Sequence, residues 1–484
     1  MRRTFLIAFA AFFLLGAAWA LALPPNGTYD EKQHLVRAYA VWTGQWLPHD
    51  RAVDASGIET NAFTGPRSLL PDNADCTFID KPDYHPASCL VTTSDHADTL
   101  MPSAAARYSP VYYALVGLPL RISPDGTGLI WARLLSAALS ALLLAAAVAI
   151  APGRLERLAV VLVTTPMAAD LAGSINPNGL EISAAVLLFV ALLHRRWALA
   201  GAGAVLLFTA RDLGPFFVLA VVVISLFVTR THPRALLHRA FLVPAALGAA
   251  FAVFWALVAS RGSDLDPGRP VPPTSSGAIL SGIAHGRAEF WARQIVGQFN
   301  YGETTLSIAV IGMWYLLCAL LVLPALRFGD RRLRLGIVTA LAGSAALLVA
   351  LELYFAPKVG DFAHGRYVMP LGVGVVLLAP LALRDANGRY ATWLARRPWR
   401  AWVPVAAAAL AVPMQLYALA RVMTRFQRGI AAGLNPFGGS WSPPLGSAVP
   451  LLCALVGAGL LGVIVTRSSV RPTPVHSTAN TFSN

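Results

Sequence analysis

LALPPNGTYDEKQHLVRAYAVWTGQWLP, residues 21–48, follows an apolar run from Phe5 to Leu23. It sets Asp30, Glu31, Lys32, His34 and Arg37 just beyond a double proline. The preceding run is long enough to cross a bilayer as a helix, which takes about 20 apolar residues. The titratable cluster therefore stands where the chain leaves the membrane. AWALAL, residues 18–23, also offers the small residues of a signal-peptide cleavage site. The run is long for such a peptide, so a retained anchor is expected.

Composition extends that reading to the whole chain. Of 484 residues, 56% are hydrophobic and 13% charged, against about a quarter charged in a soluble protein. Apolar runs recur from end to end, which predicts one polytopic membrane domain. The net charge of +14 does not point to nucleic acid, because the basic residues sit in short loops between apolar runs. The clusters are Arg154 and Arg157; Arg195 and Arg196; Arg230, Arg234 and Arg239; Arg327, Arg331, Arg332 and Arg334; Arg384, Arg389, Arg396, Arg397 and Arg400; and Arg467 and Arg471. This is the positive-inside pattern of a bacterial inner (plasma) membrane protein.

Spans are expected near 4–23, 127–151, 158–173, 180–193, 197–211, 213–229, 239–260, 304–326, 335–356, 367–383, 401–420 and 448–466. These twelve put every Arg cluster and both termini on the cytoplasmic side. The count requires YSPVYYALVGLPLRI, Tyr108 to Ile122, to lie on the outer surface as a helix, since one more crossing would invert all later loops. The fold class is thus all-α, a single membrane domain over residues 1–466 followed by a disordered cytoplasmic tail, 467–484. The outer segments are 24–126, with its surface helices, 261–303 and 421–447. No helical period appears between Asp50 and Thr99. Cys76 and Cys89 both fall in the first outer loop, on the oxidising side, and are expected to pair as a disulfide. Cys318 and Cys453 fall within spans and read as small apolar residues.

At the membrane exit, Thr28 with Glu31 three residues on has the form of a capping box. The helix it would open puts Asp30, His34 and Arg37 on one face. A carboxylate there can take a proton from an aqueous acceptor while facing a lipid-borne donor. The competing reading is a solvated helix start, since acidic residues are favoured at the positive end of a helix dipole.

A first span followed at once by Asp-Glu resembles the GT-C superfamily of polytopic glycosyltransferases, and DEKQH is similar to the Asp-Glu-x-His segment of protein O-mannosyltransferases, with one extra residue before the histidine. Further along, the chain resembles an uncharacterised bacterial family of predicted membrane proteins. The likeness is carried in order by YSPVYYALVGLPLRI, by ARLLSAALSALLL from Ala132, by GSINPNGLEIS from Gly173, by FNYGETTLS from Phe299 and by HGRYVMPL from His364. The resemblance implies a GT-C-like fold and transfer of a sugar from a polyprenyl-phosphate donor to an envelope acceptor on the outer face. It implies Asp30, or Glu31, as the general base. It also brings Asn176 and Asn178, in the Asn-Pro-Asn-Gly turn, into the substrate-binding set.

Other polar groups at membrane depth extend that set, because each ionisable residue there costs about 2.5–3.5 kcal/mol. By the span reading, Arg133, Asp170, Glu181, Arg211 and Asp212 belong to the outer half, with Glu352 deeper. The alternative is pairing within the bundle, such as Arg133 with Asp170. Arg366, between His364 and Tyr367, enters a span from outside and can bind phosphate oxygens at head-group depth; the alternative is a snorkelling arginine. His34, Arg37, Arg133, Asp170, Asn176, Asn178, His364, Arg366 and Tyr367 therefore form the expected substrate-binding set. No metal is assigned. Some GT-C enzymes use a divalent cation, for which Asp30, Glu31, His34, Asp361 and His364 are the candidate ligands, but no zinc-type spacing is present. The rival functions are a transporter or flippase of a lipid-linked intermediate, which predicts broken helices in two matching halves, and a non-catalytic scaffold of envelope assembly.

Overall fold

The computed structural model describes residues 1–54, 57, 59–78, 84–259, 271, 274–384, 392–393, 396 and 402–466. The expected cytoplasmic tail, most of the Arg384–Arg400 cluster and part of the 261–303 loop lie outside these residues. Helix α1 (Arg2–Ala22) ends as Leu23 turns to extended backbone before the prolines. Then follow α2 (Glu31–Trp42), strands β1 (Asp50–Val53), β2 (Glu59–Pro66) and β3 (Asp98–Pro102), α3 (Pro110–Val116) and α4 (Leu118–Ile122). The main bundle continues with α5 (Gly126–Ile150), α6 (Arg154–Val163), α7 (Pro166–Ala172), α8 (Pro177–Leu193), α9 (Trp197–Ala210), α10 (Gly214–Thr229) and α11 (Arg239–Ala259). After α12 (Ser276–Gly282), α13 (Ala288–Gly297) and a two-residue ladder, β4 (Gln298–Phe299) with β5 (Thr304–Thr305), come α14 (Ile308–Phe328), α15 (Arg331–Val359), α16 (Met369–Leu378), α17 (Val403–Arg428) and α18 (Ala448–Thr466).

Among the described residues, eight helical stretches are long and apolar enough to cross a membrane, or nine if the bent pair α7–α8 is one span. The expected count of twelve is not reached by this measure. α9 and α10 have 14 and 16 residues, short of a straight crossing. The expected span 158–173 is not one helix. α6 stops at Val163, and Thr165 caps a new helix, its hydroxyl accepting from the amide of Ala168 with Pro166 in the first turn. Asn176 and Pro177 repeat that start for α8, and the two helices meet at 117°. Proline suits a first turn, where its missing N–H has no partner to lose, and cannot sit one turn later without breaking the ladder.

The expected outer loop, residues 24–126, is not purely helical. β1, β2 and β3 form an antiparallel sheet in which Asp50 faces Ala62 and Phe63 faces Met101. The 108–122 segment is two short helices of 7 and 5 residues, neither long enough to span.

α1 is a central helix rather than a peripheral one, packed against α5 and α18. Small residues allow this: a Cβ on Gly16 would sit 2.8 Å from that of Ala137. Gly173, in the α7–α8 turn, lies against the Gly16 carbonyl with no room for a side chain, so the turn reaches the exit of α1. Cysteine labelling at His96 and at Arg332, at the start of α15, is expected to report opposite sides of the membrane; the same side would mean that the 108–122 segment crosses.

Candidate active site

The capping box expected at Thr28 and Glu31 does not form. Asp30 is the N-cap of α2, in left-handed backbone (φ 58°), and makes no side-chain cap. The Thr28 hydroxyl instead donates to Asp170 Oδ2 at 2.7 Å. Glu31 turns into the bundle, fully buried, where Arg133 holds both its oxygens: Nε donates to Oε1 at 2.7 Å and Nη2 to Oε2. The Ile175 amide adds a third bond to Oε1 at 3.3 Å. Arg133 also donates to the carbonyls of Ala20, Leu23 and Pro24, which satisfies the end of α1. Arg133 thus pairs with Glu31 and not with Asp170. With both oxygens committed, Glu31 has no geometry for a base; it fixes the entry angle of α2.

That angle leaves Asp30 at the surface. Its side chain is 41% exposed, and Oδ2 accepts from Arg366 Nη2 at 2.6 Å. Arg366 is 1% exposed, with its guanidinium over the Tyr29 ring at 4.0 Å and beside Tyr367 at 5.1 Å. Two of its donors, Nε–H and Nη1–H, have no hydrogen-bond partner. An unmet buried donor costs about 1–3 kcal/mol, which an arriving acceptor oxygen would recover. Gln294, on α13, holds the His364–Arg366 turn: its amide lies 3.0 Å from His364 Nδ1, and its oxygen accepts from the Arg366 backbone N–H at 3.5 Å. Tyr29 is flanked by His364 and Tyr301, and burial raises its phenol well above the ordinary range. Burial, with the Arg366, Arg287 and Arg211 charges, holds the His364 imidazole well below its usual value. His34 is lowered likewise, by burial and then by Arg211 and Arg366. Both rings are therefore neutral near pH 7.

The remaining expected residues divide. Asn176 donates to the Tyr29 carbonyl at 2.9 Å and Asn178 accepts from Arg211, so both hold the walls. Asp170 keeps one buried oxygen, Oδ1, without a partner. His34 bonds the Tyr113 hydroxyl at 2.8 Å and stacks on Tyr108. Arg37 donates to the carbonyls of Gln45 and Tyr108 among Phe63, Tyr113 and Trp255, and its buried Nε–H has no partner. Tyr367 meets two guanidiniums, Arg211 at 4.8 Å and Arg366 at 5.1 Å from its ring. Arg211, Tyr29 and Gln294 are the residues missing from the expected set. Of these only Arg211 carried a signal, as an ionisable residue between two apolar runs.

Residues at the start of the disulfide segment touch this region. Cys76 and Cys89 are joined, with Cα atoms 6.1 Å apart. Asp75 pairs with Lys32 and accepts from Asn26, and Phe78 stacks on Tyr301 at 4.0 Å. Asn26, although it heads an Asn-Gly-Thr sequence, is buried.

The five candidate metal ligands do not come together. Asp30 faces Arg366, Glu31 faces Arg133, His34 faces Tyr113, His364 faces Gln294, and Asp361 is exposed beside Arg287. Among the described residues, no three His, Cys, Asp or Glu side chains converge. The residues present do not fit a divalent cation.

The family model for predicted membrane proteins (DUF2142) matches residues 13–375, about three quarters of the chain and both members of the Asp30–Arg366 pair. The chain belongs to the DUF2142 family. No curated protein matches it. Two solved structures are similar to this DUF2142 protein. ArnT from Cupriavidus metallidurans bound to undecaprenyl phosphate aligns at TM-score 0.40 and 15% identity, over 95% of this chain and 77% of that one. The apo state of ArnT aligns at TM-score 0.37 and 15% identity, over 93% and 75%.

Proposed function

We propose that this membrane protein is a glycosyltransferase that moves a sugar from a polyprenyl-phosphate donor to an envelope acceptor, at a site on the outer face of the plasma membrane, with both termini cytoplasmic. The observation that carries the reading is the buried Arg366 guanidinium, which spends one donor on Asp30 and keeps two without partners. A phosphate oxygen is the natural acceptor for such a group. Asp30, half exposed beside it, is the one carboxylate of the pair Asp30 and Glu31 that an acceptor can reach.

In this scheme the donor phosphate draws on Arg366, and Asp30 takes the proton of the acceptor hydroxyl. The oxygen attacks the anomeric carbon, the bond from that carbon to the phosphate oxygen breaks, and the phosphate leaves with the bonding electrons. Its charge is held by Arg366 in a site of low polarity, where such stabilisation is strongest. The single displacement inverts the anomeric configuration. His34 and His364, neutral, add hydrogen bonding without competing charge. No step passes through a metal.

The transporter reading predicts broken helices in matching halves. Among the described residues one bent pair, α7–α8, is apolar enough to be a broken span, and no second pair of that kind matches it.

Replacing Arg366 by Lys keeps the charge and removes the planar fork. Undecaprenyl phosphate added to the purified parent in nanodiscs is expected to raise its melting temperature. Arg366→Lys should need about 10- to 100-fold more lipid for the same shift. Equal shifts in parent and variant would place the phosphate elsewhere.

A further inference from the structure

We infer that the cavity beside Arg211 binds a pyranose ring, and that the acceptor is therefore a saccharide; this rests on the reading that places the donor phosphate at Arg366. The cavity has a volume of about 330 Å³, within the range of small-molecule sites, and is lined by Arg107, Ser109, Arg211, Asp212, Phe251 and Trp255 among others.

Its chemistry discriminates between occupants. The apolar part of the lining would accept a hydrocarbon chain, but the chain would also lie against Arg107 and Asp212. Arg107 Nε–H is buried and without a partner, so an apolar occupant would leave it unmet. A bare phosphate would meet the Asp212 carboxylate and would leave the aromatic walls unused. A pyranose presents hydroxyls at its rim and C–H groups on its faces. The rim suits Arg107, Asp212 and the Ser109 hydroxyl, which together offer donors and acceptors. The faces suit Phe251 and Trp255, whose rings are nearly parallel, 4° apart in plane with centroids 6.4 Å apart. The wall is also fixed, because the Trp255 indole N–H donates to the Arg107 carbonyl at 2.9 Å.

Position joins this cavity to the reaction. Arg211 lines it and stands 4.8 Å from the Tyr367 ring, whose other neighbour is the Arg366 guanidinium at 5.1 Å. The two guanidinium carbons therefore lie within about 10 Å of each other. A ring in the cavity sits one aromatic residue away from the donor phosphate.

Saturation-transfer NMR on the full chain in lipid nanodiscs, free of sugar-headed detergents, tests this with methyl pyranosides as probes. Ring C–H protons of at least one pyranoside are expected to receive saturation. Phe251→Ala and Arg107→Gln should each weaken binding about fivefold, while inorganic phosphate and decyl phosphate should not displace the sugar. Asp30→Asn and Arg366→Lys should leave the signal in place, so loss of transfer chemistry at those residues is told apart from loss of the sugar site. Three results would overturn the inference: no saturation of any pyranoside, an unchanged signal in both cavity variants, or displacement by either phosphate, which would make the cavity an anion or lipid site.

Discussion

Asp30→Asn is expected to lower sugar transfer by roughly 10²–10⁴-fold, the usual contribution of a general base, with the protein still folded in the membrane. The substitution keeps the size of the side chain and an oxygen that can accept from Arg366, whose bond to Asp30 is 2.6 Å long. It removes the proton acceptor. Little packing is lost, because the side chain is half exposed and makes no cap to α2. A solvated helix start with no chemical role predicts parent-like activity. Transfer per folded molecule is the quantity to compare, with a melting curve alongside it.

Glu31→Gln is expected to show the opposite pattern. Glu31 and Arg133 are both fully buried, and the guanidinium is shared between the carboxylate and three carbonyls at the end of α1. Removing one charge of such a pair leaves the other uncompensated, at about 3–5 kcal/mol. A sharp fall in melting temperature or in the yield of folded protein should follow, with transfer per surviving molecule close to the parent's. Arg133→Met alone should be as damaging. Glu31→Leu combined with Arg133→Met should recover part of the loss, because no unpaired charge then remains. If Glu31→Gln instead gave a stable protein without activity, Glu31 would be the base and the assignment to Asp30 would fail.

The membrane character was legible because it depends on local pattern. Apolar runs mark spans, and Asp30 and Arg366 each stand beside the end of such a run. What the pattern could not supply was partnership across the chain. Thr28 and Glu31 have the spacing of a cap, but each is claimed by a residue more than a hundred positions away, Asp170 and Arg133. Buried charge outcompetes a surface capping bond, since an unpaired carboxylate or guanidinium inside the bundle costs far more than a lost cap. The break in 158–173 did carry a signal, Thr164-Thr165-Pro166, the hydroxyl-then-proline start of a helix. A continuous apolar run masked it. In the small sheet after α2, β2 and β3 are separated by more than thirty residues, with no hairpin turn between them to announce the pairing. Gln294 bears no local mark at all: its importance lies in two contacts some 70 residues on, to His364 and Arg366.

The most direct test of the central claim is transfer from radiolabelled polyprenyl-phosphate sugars by membranes containing the parent chain, with the anomeric configuration of the product read by NMR. The account predicts transfer from at least one such donor, inversion at the anomeric carbon, and loss of that transfer in Asp30→Asn. Absence of transfer from every donor, a product of retained configuration, or full activity of Asp30→Asn would contradict it.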